Sequence, residues 1–168
     1  MKIIEGNLIN LALRGHFDVI AHGCNCFCLQ KSGIACALNN VFGTGNSRIY
    51  SLEGIYQKGD KTKLGLIQGY SFSLPYNVPA LGVIPVETDR KELTVVNCYT
   101  QYSAGIDKVY LDYEALAKCL TKINEDYEGK EVGLPKIGCG LAGGDWKIVS
   151  DMMQDILTKV NLTVVIYK

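Results

Sequence analysis

Leu134–Trp146 reads LPKIGCGLAGGDW. An apolar run, Val132–Ile137, enters this stretch as a buried strand, a glycine-rich turn follows, and a helix begins at Trp146. Trp146, Val149, Met153, Ile156 and Val160 mark one face of that helix, and Leu162–Tyr167 reads as a last strand. The chain therefore closes as β-α-β.

The same alternation continues upstream. Tyr113, Leu116, Ala117, Leu120 and Ile123 follow a helical spacing behind Asp112, a favoured N-cap residue, and Gly129 ends that helix. Leu64–Leu74, Leu81–Val86 and Leu93–Tyr99 are β-rich runs bounded by Gly, Pro and charged turns, the middle one with Pro79 and Pro85 at its margins. Lys2–Glu5 and Val19–Ala21 read as strands, and Gly33–Asn40 and Arg48–Gln57 as helical segments. No linker, repeat or low-complexity tract interrupts the order. It predicts one α/β domain over residues 1–168, a three-layer α/β/α fold with a mixed central sheet.

Composition agrees with an ordinary domain of this kind. The 168 residues can bury a core without staples, and 48% hydrophobic with 20% charged residues is a soluble globular balance. Seventeen Lys and Arg against seventeen Asp and Glu leave no net charge to attract nucleic acid or an anionic membrane. No apolar run approaches the ~20 residues that span a bilayer. The N-terminal MKIIEGN passes directly into a strand pattern without a signal-peptide core, so a cytoplasmic protein is expected.

The seven cysteines are odd in number and scattered, which predicts reduced thiols. Cys24, Cys26 and Cys28 form a C-x-C-x-C run with no second knuckle, and His16 and His22 are the chain's two histidines. Neither a metal site nor a cofactor is expected from this pattern. A thiol beside a helix N-terminus can become a nucleophile; small filler in a tight turn is the simpler role. Trp146, Met152 and Met153 read most simply as core.

Ligands of open α/β sheets bind beyond the carboxyl ends of strands. Two glycine-bearing loops lie there, GCNCFCLQKSG after the Val19–Ala21 strand and IGCGLAGGD after Val132–Ile137. Glycines turn backbone N–H groups towards one point, and each following helix offers unpaired donors and a positive dipole end. A diphosphate suits the pair, although a glycine turn alone also serves chain reversal. Neither loop is a Walker loop or a Rossmann fingerprint.

GNL near the N-terminus, DVIAHGCNCFCLQKSGIA, NCYTQYSAG before the Tyr113 helix and LPKIGCGLAGGDW together resemble the macrodomain family. The resemblance spans essentially the whole chain and is nearest to the branch that processes ADP-ribose 1″-phosphate. It implies a cleft for ADP-ribose, with the distal ribose beside the first loop and the diphosphate between both loops. By that resemblance Asn25 contacts the distal ribose, and Ser32, Gly33 and Ile34 cover diphosphate and ribose. Gly138, Cys139, Gly140, Leu141 and Ala142 match the second phosphate loop. Asn7, followed by Leu8, stands where most macrodomains carry an aspartate that accepts from the adenine amino group; its carbonyl oxygen still accepts, without charge assistance.

His22 occupies the place of a catalytic histidine in the phosphatase-like branch. Imidazole titrates near neutral pH and could act as general acid or nucleophile, or it could simply hydrogen-bond to backbone at a strand end. Asp145 could align a water for attack, and it also stands where Asp caps the Trp146 helix. Gln101 and Tyr102 lie on the same cleft side, Tyr102 either stacking on ligand or packing. The resemblance thus implies an enzyme that binds ADP-ribose derivatives and removes the terminal phosphate of ADP-ribose 1″-phosphate. Two alternatives remain: an ADP-ribosyl hydrolase acting on protein or nucleic acid, and a non-catalytic ADP-ribose-binding module. The first is disfavoured because Gln101 or Tyr102 stands where that branch has lysine, and Ala142 where it has aspartate.

Overall fold

The computed structural model describes residues 1–45 and 58–168, so the helix expected over Arg48–Gln57 lies outside the described residues. In chain order the elements are β1 (Lys2–Glu5), α1 (Leu8–Leu13), β2 (Val19–Asn25), α2 (Gly33–Phe42), β3 (Ile67–Ser73), β4 (Asn77–Val78), β5 (Gly82–Val83), β6 (Glu92–Gln101), α3 (Tyr113–Asp126), β7 (Glu131–Leu134), α4 (Trp146–Ile156) and β8 (Asn161–Ile166). Six strands form one sheet in the order β1-β8-β7-β2-β6-β3. Every neighbour pair is parallel except β3 with β6. The mixed three-layer architecture expected from the alternation is the one observed.

Strand periodicity divides the core between the two faces of the sheet. Val19, Ala21, Val96, Val132, Leu134 and Val164 meet Leu116, Leu120 and Ile123 of α3 and Val149 and Met153 of α4. Ile20, Leu93, Val95 and Val165 meet Leu8, Ala12 and Leu13 of α1 and Leu38 and Phe42 of α2. Both sets are buried. β2 is buried along nearly all its length, as a strand covered on both faces must be. Among the described residues no helix is long and apolar enough to cross a membrane.

Several boundaries differ from the sequence expectation for identifiable reasons. Pro79 and Pro85 carry no N–H for a ladder, and of the Leu81–Val86 run only Gly82–Val83 pairs, with Asn77–Val78 in a separate hairpin. β7 stops at Leu134, directly before Pro135. β2 runs four residues beyond Ala21, because its parallel pairing with β6 continues to Asn25 opposite Gln101. α1 is too short to show a helical period; Asn7 caps it by accepting from the Asn10 N–H at 3.0 Å.

At the opposite end of the sheet, Asp18 ties three segments together. Its carboxylate accepts from Arg90 Nε at 2.7 Å and from the Glu131 N–H at 2.8 Å, joining the starts of β2 and β7 to the segment before β6. Burial opposes its ionisation, but these hydrogen bonds and the Arg90 charge outweigh it and hold the carboxyl below its ordinary value. A lowered folded-state value means the contribution is present above the unfolded value and is lost as acid titrates the folded carboxylate. Asp18→Asn should lower stability by about 1–2 kcal/mol at neutral pH and flatten the acid limb of the stability curve. Urea unfolding measured between about pH 7 and about pH 3 checks both.

Candidate ligand cleft

Because β1, β2, β6, β7 and β8 run parallel, their carboxyl ends emerge on one side, and the loops that leave them enclose two joined cavities. The first, about 420 Å³, lies between the end of β2, the start of α2, the Gln101–Ile106 loop and the Pro135–Ala142 loop. The second, about 570 Å³, lies between Gly6–Ile9, α2 and Val165–Tyr167 at the end of β8. Gly33, Ile34, Pro135, Lys136 and Gly140 line both and form the neck between them. Volumes of this size suit a small organic ligand.

The neck is rich in unused backbone donors. Asn7, Asp112 and Asp145 cap α1, α3 and α4 through their side chains, but Ser32 makes no such bond at the start of α2. The first-turn residues of α2, Gly33, Ile34 and Ala35, border the cleft, and among the described residues no side chain caps their N–H groups. Gly33 starts that helix at φ +58°, a conformation that strains residues with a Cβ.

Across the neck, the second loop is pinned by bonds that leave its tip free. The Gly144 N–H donates to Gly138 O at 2.9 Å, the Gly143 N–H to Gly140 O at 3.0 Å, and the Tyr110 and Leu111 N–H groups to Ala142 O. The N–H groups of Gly140 and Leu141 take no part in these bonds. Two sets of amide donors thus converge on one neck, a neutral cradle for an anion.

Most of the expected contact residues line this cleft. Asn25, Ser32, Gln101, Gly138, Leu141 and Ala142 border the first cavity, Asn7, Leu8 and Cys139 the second, and Gly33, Ile34 and Gly140 both. The fold already uses two of the amides. Asn25 Oδ1 accepts from the Phe27 and Leu29 N–H groups at 3.0 and 3.2 Å, and its Nδ2 donates to Leu29 O at 3.1 Å. Its amide braces the loop as well as forming wall. Gln101 Nε2 donates to Ser103 O at 2.8 Å and holds the next loop.

Three expected residues are not brought to the cleft. His22 is fully buried on the face covered by α2, its Nε2 2.6 Å from Asn97 Oδ1 and its Nδ1 3.1 Å from Gly23 O. Asn97 Nδ2 in turn donates to Thr44 O at 3.0 Å, which points its oxygen at the imidazole and makes Nε2 the donor. Depth along β2 is the physical reason: residue 22 shares the face of Ile20 and lies two positions before Cys24, where the cavity wall begins on that face. Burial pushes the His22 imidazole below its ordinary value, against the pull of Asn97 and Gly23, and so favours the neutral ring. The expected catalytic histidine is an interior hydrogen-bonding group.

Asp145 borders neither cavity. Its Oδ1 accepts from the Lys147 and Ile148 N–H groups at 2.7 and 3.3 Å, and its own N–H donates to Tyr113 Oη at 2.9 Å. It is the cap of α4. Tyr102 packs edge-on against Phe27 at 5.2 Å with the Lys61 ammonium 4.8 Å from its ring, outside the cleft. Sequence reasoning missed Gly6, Ile9, Val165, Ile166 and Tyr167 in the second cavity and Lys136 at the neck. The shared carboxyl edge of β1 and β8 was the signal for the former.

The thiols match filler more closely than chemistry. Cys24, Cys26, Cys28, Cys98 and Cys119 are buried, and all seven thiols are free. Burial pushes the Cys24 thiol well above its ordinary value and Cys26 to about 11. A neutral thiol is a poor nucleophile.

The burial of His22 has a measurable consequence. Its folded-state value lies below the unfolded one, so the native protein binds fewer protons and stability declines as pH falls through the ordinary imidazole range near ~6.5. His22→Gln should cost about 1–3 kcal/mol through the disturbed Asn97 network, and should flatten the loss of Tm between about pH 7 and about pH 5.5. Differential scanning fluorimetry across that range reads both effects.

No protein-family model matches the chain. It is 29% identical over 170 residues to an uncharacterized 17.5 kDa protein in the tk-vs intergenic region of Enterobacteria phage T4, covering 98% of this chain and 95% of that protein. Among solved structures it is similar to the macrodomain of Thermus aquaticus DarG, with TM-score 0.62 and 17% identity over 99% of this chain and 97% of that one. It is also similar to Thermosipho africanus DarTG in complex with ADP-ribose, with TM-score 0.62 and 20% identity over 98% of this chain and 40% of that one. At these identities the likeness to solved structures is one of fold, and that fold is the macrodomain fold.

Proposed function

We propose that the protein binds ADP-ribose or a close derivative across the two joined cavities. The observation that carries this reading is the neck, where the start of α2 lacks a side-chain cap and the Gly140 and Leu141 N–H groups have no backbone partner among the described residues. A diphosphate fills such a neck, accepting from both sets of donors. In this reading the adenosine lies in the second cavity among Leu8, Ile9, Val165 and Tyr167, and the distal ribose lies in the first, beside the loop braced by Asn25. ADP-ribose in complex with Thermosipho africanus DarTG, a neighbour in fold, supports the choice of ligand.

Release of the terminal phosphate from ADP-ribose 1″-phosphate is the catalytic form of this proposal. Among the described residues, the ionisable side chains lining the first cavity are Cys24 and Lys136, and the Cys24 thiol is held neutral by burial. His22 and Asp145 are engaged elsewhere. Ligand binding is therefore the function that the geometry supports best, and hydrolysis would need a group other than His22.

Gly140 provides a clean test. A Cβ added there meets no atom within 4 Å, so Gly140→Val should leave Tm unchanged while its side chain obstructs the neck. Calorimetry should show ADP-ribose binding by the wild type and a loss of about tenfold or more in the variant. No heat with the wild type would overturn the reading. Phosphate release from ADP-ribose 1″-phosphate, run on the same sample, tests the catalytic form; release abolished in His22→Ala with binding intact would return His22 to the chemistry.

Asn7 sets a second expectation. Its Oδ1 caps α1, leaving the amide nitrogen as the polar group available to the second cavity. Asn7→Asp keeps the cap through one oxygen and supplies a charged acceptor through the other, and it should tighten ADP-ribose by about threefold to tenfold. Unchanged affinity in the same calorimeter would remove Asn7 from base recognition.

A further inference from the structure

Among the described residues that border the two cavities, Lys136 is the one of a charged type, and it borders both. It follows Pro135 at the end of β7 and stands at the neck opposite the start of α2. Its Nζ lies 5.2 Å from the centroid of the Trp146 ring, at the N-terminus of α4. Among the described residues the ammonium thus rests on an aromatic face and on no carboxylate.

Charge balance at the neck gives this placement a meaning. The donors from α2 and from Gly140 and Leu141 are neutral amides. A bridging diphosphate carries two negative charges, which neutral donors orient but do not compensate. A cation over a ring at a solvent-exposed site is weakly held, and lysine is a point charge on a flexible four-carbon stem. It can leave the ring for a nearby anion with little reorganisation.

We infer that Lys136 is the mobile counter-ion of the cleft: its ammonium rests on Trp146 in the empty protein and pairs with the diphosphate when a ligand spans both cavities. This rests on the proposed binding of ADP-ribose. It adds a selectivity, because Lys136 then favours ligands with a bridging diphosphate over a nucleoside that fills the second cavity alone.

Trp146 is the chain's single tryptophan, so tryptophan emission comes from the ring beside the Lys136 ammonium alone. The experiment pairs calorimetry with Trp146 fluorescence for wild type and Lys136→Met, using ADP-ribose, adenosine and inorganic pyrophosphate as probes. In the wild type, ADP-ribose and pyrophosphate should change the emission and adenosine should not. Lys136→Met should bind ADP-ribose about tenfold more weakly, with a shallower salt dependence, while adenosine affinity stays unchanged. The emission change should vanish in the variant, and Lys136→Arg should restore part of both signals. Equal ADP-ribose affinity in Lys136→Met, or an emission change that survives it, would overturn the inference. Parallel losses for ADP-ribose and adenosine would mean that Lys136 merely supports the fold around Trp146. If the wild type binds no ADP-ribose at all, the functional reading fails, and pyrophosphate alone decides the fate of Lys136: a silent Trp146 then overturns this inference as well.

Discussion

The parallel pairing of β2 with β7 on one side and β6 on the other governs the molecule. Because β1 and β8 continue the same direction, five strands end on one edge, and every chain segment that leaves it must turn there before crossing back. Backbone groups at such turns lose their ladder partners, so this edge gathers the unsatisfied donors of the fold. Most helix starts silence them with a side chain. The start of α2 does not, and the Gly140–Leu141 tip adds its own. The cleft is thus a product of topology before it is a product of particular side chains.

That origin explains what was legible in the sequence. The strand-turn-helix order and the alternating apolar runs are local patterns, and they predicted the three layers, the mixed sheet and the two loops. Residues expected at the ligand that belong to those loops by backbone position, such as Gly33, Ile34, Gly138 and Gly140, border the cleft because the loop path alone carries them there. The β8 end escaped notice because its place depends on β8 lying beside β1 and β7, a pairing across most of the chain length, whereas Lys136 stood in the second loop itself, beside glycines that carried the reading.

The polar side chains show the opposite lesson. His22, Asp145 and Tyr102 each had the right chemistry near the right loop, and the fold uses each for itself. His22 lies deeper along β2 than the cavity reaches and sits in a buried network with Asn97 and Thr44, the helix start consumes Asp145, and Phe27 and Lys61 hold Tyr102. Asn25 is intermediate: it borders the first cavity and simultaneously braces the loop that encloses it. A side chain's type suggests chemistry, but its depth in the fold and local hydrogen-bond demand decide whether it is free to perform it.

The central claim is that backbone amides of two loops hold the ligand's diphosphate. Amide NMR of uniformly ¹⁵N-labelled protein during an ADP-ribose titration tests it most directly. Large shifts concentrated at Gly33, Ile34, Ala35, Gly140 and Leu141, with the Asp18 end of the sheet unmoved, are the predicted result. Saturable binding that leaves those five amides in place would contradict it and move the ligand elsewhere on the protein.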